Sequence, residues 1–313
     1  MAEPIKVLIA DDMSKKAVEV LSKAGFTVEV KTGMKPEELA AVIGEYHAIG
    51  IRSASKITAA TLEKPGKLKI IGRAGVGVDN IDVKAATEKG VLVINTPQGN
   101  AAAAAELAIG LMFALARKIP QAAQSMKQGI WEKKKYMGTE IAGKTLGVIG
   151  LGNIGRQAAE RAVGLKMNVI GYDPFPPKEL PAGVKQVTLD ELIAQSDYIT
   201  LHVPATAETK GLFSAATIAK MKKGACLINC ARGGIVDENA VLEALKSGQL
   251  GGAALDVFAK EPPDPSPLFA EENLIAVPHL GASTKEAQEK VAIEMAEVFV
   301  GFLKDGVVRN AVK

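Results

Sequence analysis

Two runs of alternating strand-like and helix-like segments, joined by one long alanine-rich stretch, constrain this chain more than any other feature. In the first run, Lys6 to Ala10, Thr27 to Val30, Ile49 to Ile51, Leu68 to Ile71 and Val91 to Asn95 are short β-branched apolar stretches. Between them lie segments such as Lys15 to Ala24, with apolar residues at helical spacing. That alternation points to a parallel sheet covered by helices. From Asn100 to Lys118 the pattern becomes a helix apolar on nearly every side, with Asn100 placed to cap its first turn. So apolar a helix is expected to be buried, between domains or between subunits.

A second alternating run starts at Thr145 to Gly150 and continues through Asn168 to Tyr172, Tyr198 to Leu201, Ala225 to Asn229, Ala253 to Val257 and Leu274 to Val277. After a last helix, Lys285 to Lys304, the stretch Val307-Val-Arg-Asn310 is too short to found anything new, so it is expected to return to the first domain. The fold class expected is α/β, with two Rossmann-like or flavodoxin-like parallel-sheet domains. A continuous domain, residues 98–285, is inserted into a discontinuous one, residues 1–97 plus 286–313. At 313 residues and 48% hydrophobic, the chain is long enough for two cores.

Composition narrows the partners. Lys and Arg number 38 against 35 Asp and Glu, interspersed rather than gathered into a basic stripe, so no nucleic acid is expected. The longest apolar stretch, Ala101 to Ala116, is broken by Glu106 and falls short of the roughly 20 residues of a membrane span. No membrane partner is expected. Met1 to Asp12 lacks the pattern of a signal peptide, and two cysteines make no disulfide framework, so a reducing cytoplasm is the expected setting.

Gly150-Leu-Gly152-Asn153-Ile154-Gly155 follows a strand and opens a helix. Glycine is common here, at 31 residues, and the motif gains weight from Asp173, which ends the next strand 23 residues beyond Gly150. Such glycines let backbone amides approach a pyrophosphate at a helix N-terminus. Asp173 would bond the adenosine ribose hydroxyls and repel a 2′-phosphate, and only Pro174 and Phe175 follow it, which favours NAD over NADP.

Three histidines are candidates for the proton that accompanies a hydride. His47 has no chemical company and reads as structural; His202 ends a strand near the nucleotide; His279 stands in Val277-Pro-His-Leu-Gly-Ala-Ser283 at another strand end. Arg232 follows Asn229-Cys-Ala, and Ala254-Leu-Asp256-Val-Phe-Ala-Lys-Glu261 carries two acids just past a strand. A guanidinium suits a carboxylate, and an acid beside an imidazole fixes its tautomer. Arg232, Glu261 and His279 at successive strand ends therefore form a candidate dehydrogenase site. Neither the spacing nor the company of Cys226 and Cys230 suggests a metal.

Across nearly its whole length the chain resembles the D-isomer-specific 2-hydroxyacid dehydrogenases. The stretches that carry the resemblance are Gly72 to Asn80, Trp131 to Gly138, Gly147 to Asp173, Asn229 to Asp237 and Pro278 to Glu286. It implies that Arg232, Glu261 and His279 are the catalytic set and that Asp256 lies by the nicotinamide carboxamide. It further implies that the NAD site takes in Gly150, Gly152, Asn153, Ile154, Gly155, Asp173, His202, Pro204, Cys230, Ala231, Arg232, His279 and Gly281.

The substrate implied is a small 2-hydroxy acid, 3-phosphoglycerate, oxidised at the entry to serine biosynthesis. Arg232, His279 and the backbone around Gly75, Val76 and Gly77 would meet its reacting end. Arg52 and Arg73, beside Ser53, would meet the phosphate, with Lys133 supplied by a neighbouring subunit of a homodimer or homotetramer. Lys133 departs from the arginine of vertebrate relatives and loses the planar fork. Many relatives continue into regulatory domains, and feedback inhibition through such a domain is not expected here. Two other readings stay open: a glyoxylate or hydroxypyruvate reductase using the same triad, and an NADH-sensing corepressor-like binding protein.

Overall fold

The computed structural model describes residues 3–312, which divide into two compact units, 3–100 with 282–312 and Ala101–Gly281.

The first unit contains β1 (Lys6–Ile9), α1 (Lys15–Lys23), β2 (Thr27–Val30), α2 (Pro36–Val42), β3 (Ala48–Ile51), β4 (Ile70–Arg73), α3 (Val83–Glu88) and β5 (Leu92–Ile94). Its five strands are parallel in the order β2-β1-β3-β4-β5, the flavodoxin-like winding. Alternation along β1 explains why its residues from Val7 to Ile9 are all apolar. Val7 and Ile9 enter one core with Ile70, while Leu8 enters the opposite core with Ile49, Ile51 and Ile71.

The chain's last helix, Lys285–Asp305, belongs to this unit and sends Met295 and Phe299 into the first of these cores. It lies so close to the sheet that a Cβ at Gly50 would stand 2.6 Å from Met295, and one at Gly72 2.6 Å from Phe299. Beyond it, Ala311 bridges Ile94 antiparallel and Val312 N–H donates to Val93, so the chain end lines the β5 edge.

The second unit opens with α4 (Ala101–Arg117) and α5 (Ile119–Lys127), then β6 (Thr145–Ile149), α6 (Asn153–Gly164), β7 (Asn168–Tyr172) and β8 (Val184–Gln186). It continues with α7 (Leu189–Gln195), β9 (Tyr198–Leu201), α8 (Ala215–Ala219), β10 (Ala225–Asn229), α9 (Glu238–Ser247), β11 (Leu250–Leu255) and β12 (Leu274–Ala276). The last helix of the chain is then α10. Seven parallel strands run β12-β11-β10-β9-β6-β7-β8, the Rossmann winding with one strand added, reversing direction between β6 and β9.

Most expected strands form within a residue or two of their predicted bounds. β4 begins at Ile70 rather than Leu68, because Leu68 N–H closes a turn onto Pro65 instead of joining a ladder. The edge strand β8 was not expected, and Lys185 and Gln186 in it are exposed. Asn100 does not cap α4: its Oδ1 is buried and makes no hydrogen bond among the described residues. α4 packs Ala108, Leu111, Met112 and Ala116 against its own unit, while Leu107, Ile109 and Phe113 stay half-buried.

Candidate active site

In the second unit every sequence-predicted group except Lys133 follows the carboxyl end of a strand of one sheet, where ligands of such sheets bind. The glycine turn follows β6, and its three glycines serve different needs. Gly150 has φ 91°, and a Cβ there would lie 2.5 Å from the His202 carbonyl oxygen. Gly155 is pressed against the turn itself, with 1.8 Å between its would-be Cβ and the Gly150 oxygen. A Cβ on Gly152 would meet nothing, so the space above the start of α6 is open, and no side chain caps that helix. Uncapped amides under an open space fit the pyrophosphate of NAD. Asp173, the candidate for the ribose, is oriented by two amides, Leu151 N–H on Oδ2 and Phe175 N–H on Oδ1, both 2.8 Å.

His202 borders the glycine turn through its backbone. Its Nε2 pairs with Thr200 Oγ1 at 3.0 Å, its Nδ1 is buried without a partner among the described residues, and burial pushes its pKa down to about 4. This imidazole is neutral near pH 7 and is no proton carrier. His47 is structural, its Nδ1 accepting the Lys6 N–H at 3.1 Å. Cys226 and Cys230 are free thiols; burial pushes Cys226 up to about 12 and raises Cys230, the latter further raised by Asp256. Pro204 is exposed in the loop after β9.

The turn after β10 is stapled by Asn229, whose Oδ1 accepts the Ala231 N–H and whose Nδ2 donates to the Arg232 carbonyl. Arg232 Nη1 in turn donates to the Ala231 carbonyl at 2.7 Å. Gly233 lets this turn lie against the next one, since a Cβ there would be 1.8 Å from the Phe258 oxygen. That next loop carries Glu261, whose Oε1 accepts the Phe258 N–H at 3.1 Å and whose Oε2 lies 2.7 Å from His279 Nδ1. A carboxylate only accepts, so Nδ1 carries the proton; in the neutral imidazole Nε2, which has no partner among the described residues, presents the lone pair.

Asp256, wholly buried, sets the loop of His279. Its oxygens accept the Leu280 N–H at 2.5 Å and the Gly281 N–H at 2.9 Å, while its backbone oxygen accepts the His279 N–H. His279 is thereby held at φ 53°, a conformation uncommon outside glycine. Burial raises the Asp256 pKa, and the two amides oppose that rise. A cavity of about 470 Å³ lies beside the Glu261–His279 pair, walled by Phe258, Phe269, Pro262, Pro263, Val277 and Pro278. Lys133 is exposed between α5 and β6.

The first unit has its own arrangement at strand ends. Gly75, at φ 147°, leaves room for Arg73, whose Nη1 lies 1.5 Å from where a Cβ would be. The Gly75 N–H is committed to Thr96 Oγ1 at 2.6 Å, and Asn95 Nδ2 holds the Val76 carbonyl. Among the described residues the Val76 and Gly77 N–H groups donate to nothing, which leaves them for an anion. Thr96, Asn95 and Asn229 shape these loops and were missed in the sequence. Their signal, a small polar residue closing an apolar strand, is weak alone.

Residues 109–281 match the family described as D-isomer specific 2-hydroxyacid dehydrogenase, NAD binding domain. D-3-phosphoglycerate dehydrogenase of Archaeoglobus fulgidus is 52% identical over 98% of this chain and 59% of its own length. The Homo sapiens D-3-phosphoglycerate dehydrogenase is 50% identical over 96% of this chain and 56% of its own. The chain thus spans a little over half the length of these relatives. Among solved structures, a glyoxylate reductase from Paecilomyes thermophila has a TM-score of 0.91 at 31% identity, covering 100% of this chain and 99% of that one. The TT0316 protein from Thermus thermophilus has a TM-score of 0.90 at 33% identity, covering 99% and 100%. With a glycine turn shaped for a dinucleotide and NAD(H) as cofactor, the chain belongs to the D-isomer specific 2-hydroxyacid dehydrogenase family.

Proposed function

We propose that this protein oxidises 3-phosphoglycerate to 3-phosphohydroxypyruvate, the entry reaction of serine biosynthesis. The observation that carries the chemistry is the 2.7 Å contact of Glu261 with His279 Nδ1, which leaves Nε2 as a proton acceptor. Bound NAD supplies the hydride acceptor. Arg232 holds the substrate carboxylate in its planar fork. His279 Nε2 takes the hydroxyl proton as C2 gives up its hydride, and Glu261 stabilises the imidazolium that results. Asp256, whose oxygens are taken by the Leu280 and Gly281 amides, fixes the His279 loop. In the reverse direction His279 returns the proton to the carbonyl oxygen.

Arg52 and Arg73 bind the phosphate, with Lys133 of a second copy as a third cation. The high identity to phosphoglycerate dehydrogenases supports this substrate over glyoxylate or hydroxypyruvate. A homodimer or larger homo-oligomer is part of the same reading. It is supported by Ile119, Met126, Ile130, Trp131 and Met137, all exposed on α5 and the loop after it. A cytoplasmic setting accords with two free thiols. Among the described residues no helix is long and apolar enough to cross a membrane.

The test is a substrate panel with NAD: 3-phosphoglycerate, glycerate and lactate, and hydroxypyruvate with NADH in reverse. The proposal expects kcat/KM highest for 3-phosphoglycerate; a preference for hydroxypyruvate reduction would replace it with the reductase reading. Tight NADH-dependent peptide binding without turnover would favour the corepressor reading.

A further inference from the structure

The first sheet reverses its winding between β1 and β3, and in open parallel sheets the crevice at that reversal is where ligands, often anions, are held. Here the chain puts a carboxylate of its own into that place. Asp11, two residues past the end of β1, is 3% exposed and bonds the loop that leaves β3. Its Oδ2 accepts the N–H groups of Arg52 at 2.6 Å, Ser55 at 3.1 Å and Ala54 at 3.2 Å. Oδ1 accepts the Ser55 N–H at 3.0 Å and the Ser55 hydroxyl at 2.5 Å.

The same loop is fastened from its other side. Asn80 Nδ2 donates to the carbonyls of Arg52, at 2.7 Å, and Ser55, at 2.6 Å. The guanidinium of Arg52 is held too, because Nη1 donates to the Asp12 backbone oxygen at 3.1 Å. The turn after β1 therefore grips Arg52 at both ends, its backbone through Asp11 and its side chain through Asp12. Nε and Nη2 of Arg52 donate to nothing among the described residues, so an edge of the fork is left for a ligand.

A flexible arginine loses rotamer freedom when it clamps an anion, and a clamp ordered beforehand avoids much of that cost. We propose that Asp11 is the positioning residue of the Arg52–Ser53 loop, holding Arg52 oriented for the substrate's phosphate. The inference rests on the assignment of that phosphate to Arg52. An aspartate is required because all the groups facing it are donors. Asparagine has nearly the same shape but turns an NH2 toward one set of them, leaving that set unmatched.

The test compares steady-state kinetics of Asp11→Asn, Ser55→Ala and Arg52→Ala with the wild type, on 3-phosphoglycerate and on an unphosphorylated 2-hydroxy acid. Asp11→Asn is expected to raise KM for 3-phosphoglycerate about ten-fold, with little change in kcat, in KM for NAD, or in KM for the unphosphorylated acid. Ser55→Ala, which removes one hydroxyl bond to Asp11, is expected to move KM the same way by a smaller factor. Equal effects on both substrates, or an unchanged KM in folded Asp11→Asn, would overturn the inference. If Asp11→Asn does not fold, Ser55→Ala decides, and an unchanged ratio of the two KM values there overturns it. Should Arg52→Ala shift that ratio while the other variants do not, the positioning role alone fails. Should Arg52→Ala leave it unchanged, the phosphate assignment itself fails.

Discussion

Glu261 reaches His279 Nδ1 at 2.7 Å while its other oxygen is tied to the Phe258 N–H, so the carboxylate is fixed before it fixes the imidazole. Removing the base removes proton transfer: His279→Ala is expected to lower kcat by roughly 10² to 10⁴. Glu261→Gln keeps an acceptor for Nδ1 but not the charge, so its loss should be smaller and fall mainly on kcat. Stopped-flow or steady-state rates with saturating NAD check both. Equal losses in the two variants would show that Glu261 does more than hold and stabilise the imidazole.

Cofactor choice should follow Asp173. Its two oxygens are aligned by Leu151 and Phe175 amides, and each keeps a lone pair for a ribose hydroxyl. Asp173→Ala is expected to weaken NAD about ten-fold or more and to narrow the gap to NADP. The comparison is kcat/KM for both cofactors in both proteins. Equal wild-type values would remove the argument.

The phosphate arginines should separate substrates. Replacing Arg52 or Arg73 by Ala should raise KM for 3-phosphoglycerate about ten-fold to a hundred-fold more than for an unphosphorylated 2-hydroxy acid, since a charge-assisted contact contributes roughly 1.5 to 3 kcal/mol. Arg232→Ala should impair both substrates alike. An unchanged ratio for both Arg52→Ala and Arg73→Ala points to the reductase reading.

His202 predicts a pH effect on stability. Burial pushes it down to about 4, so the unfolded chain, with an ordinary histidine, takes up a proton first as pH falls. Its stabilisation is complete above about pH 6.5 and is lost between there and pH 4, on the order of 3 kcal/mol at most. Urea melts from pH 7.5 to 4.5 should show a shallower decline in His202→Gln than in the wild type. Parallel declines would mean that His202 titrates normally.

Assembly is tested by sedimentation. With Ile119, Met126, Trp131 and Met137 exposed, a dimer or larger species is expected at micromolar concentration. A fully active monomer there would take away Lys133 as a neighbour's contribution.

The sheets and the glycine turn were legible because each is written in adjacent residues: an apolar run, three glycines, an acid at a fixed interval. The meeting of Glu261 with His279 was legible for a related reason, since each lies in a segment that follows a strand end and strand ends converge. Asp11 was not, because its partners Arg52 and Ser55 lie 41 and 44 residues away and nothing local marks it. β8 was missed because Val184-Lys-Gln186 is an edge with no apolar run. Asn100 was misread as a cap because side-chain type suggests capping while the approach of the chain decides it.

The close seat of α10 on Gly50 and Gly72 bears on how the chain comes into being. Met295 and Phe299 complete a core whose strands were made first, so the opening hundred residues leave the ribosome without the helix that closes their sheet. At roughly 5 to 20 residues per second, synthesis from Asn100 to Lys285 takes about 10 to 40 seconds. Throughout that interval Val7, Ile9 and Ile70 lack Met295 and Phe299 against them. The unit whose strands are translated first thus completes its core only after Ala101–Gly281 has been made.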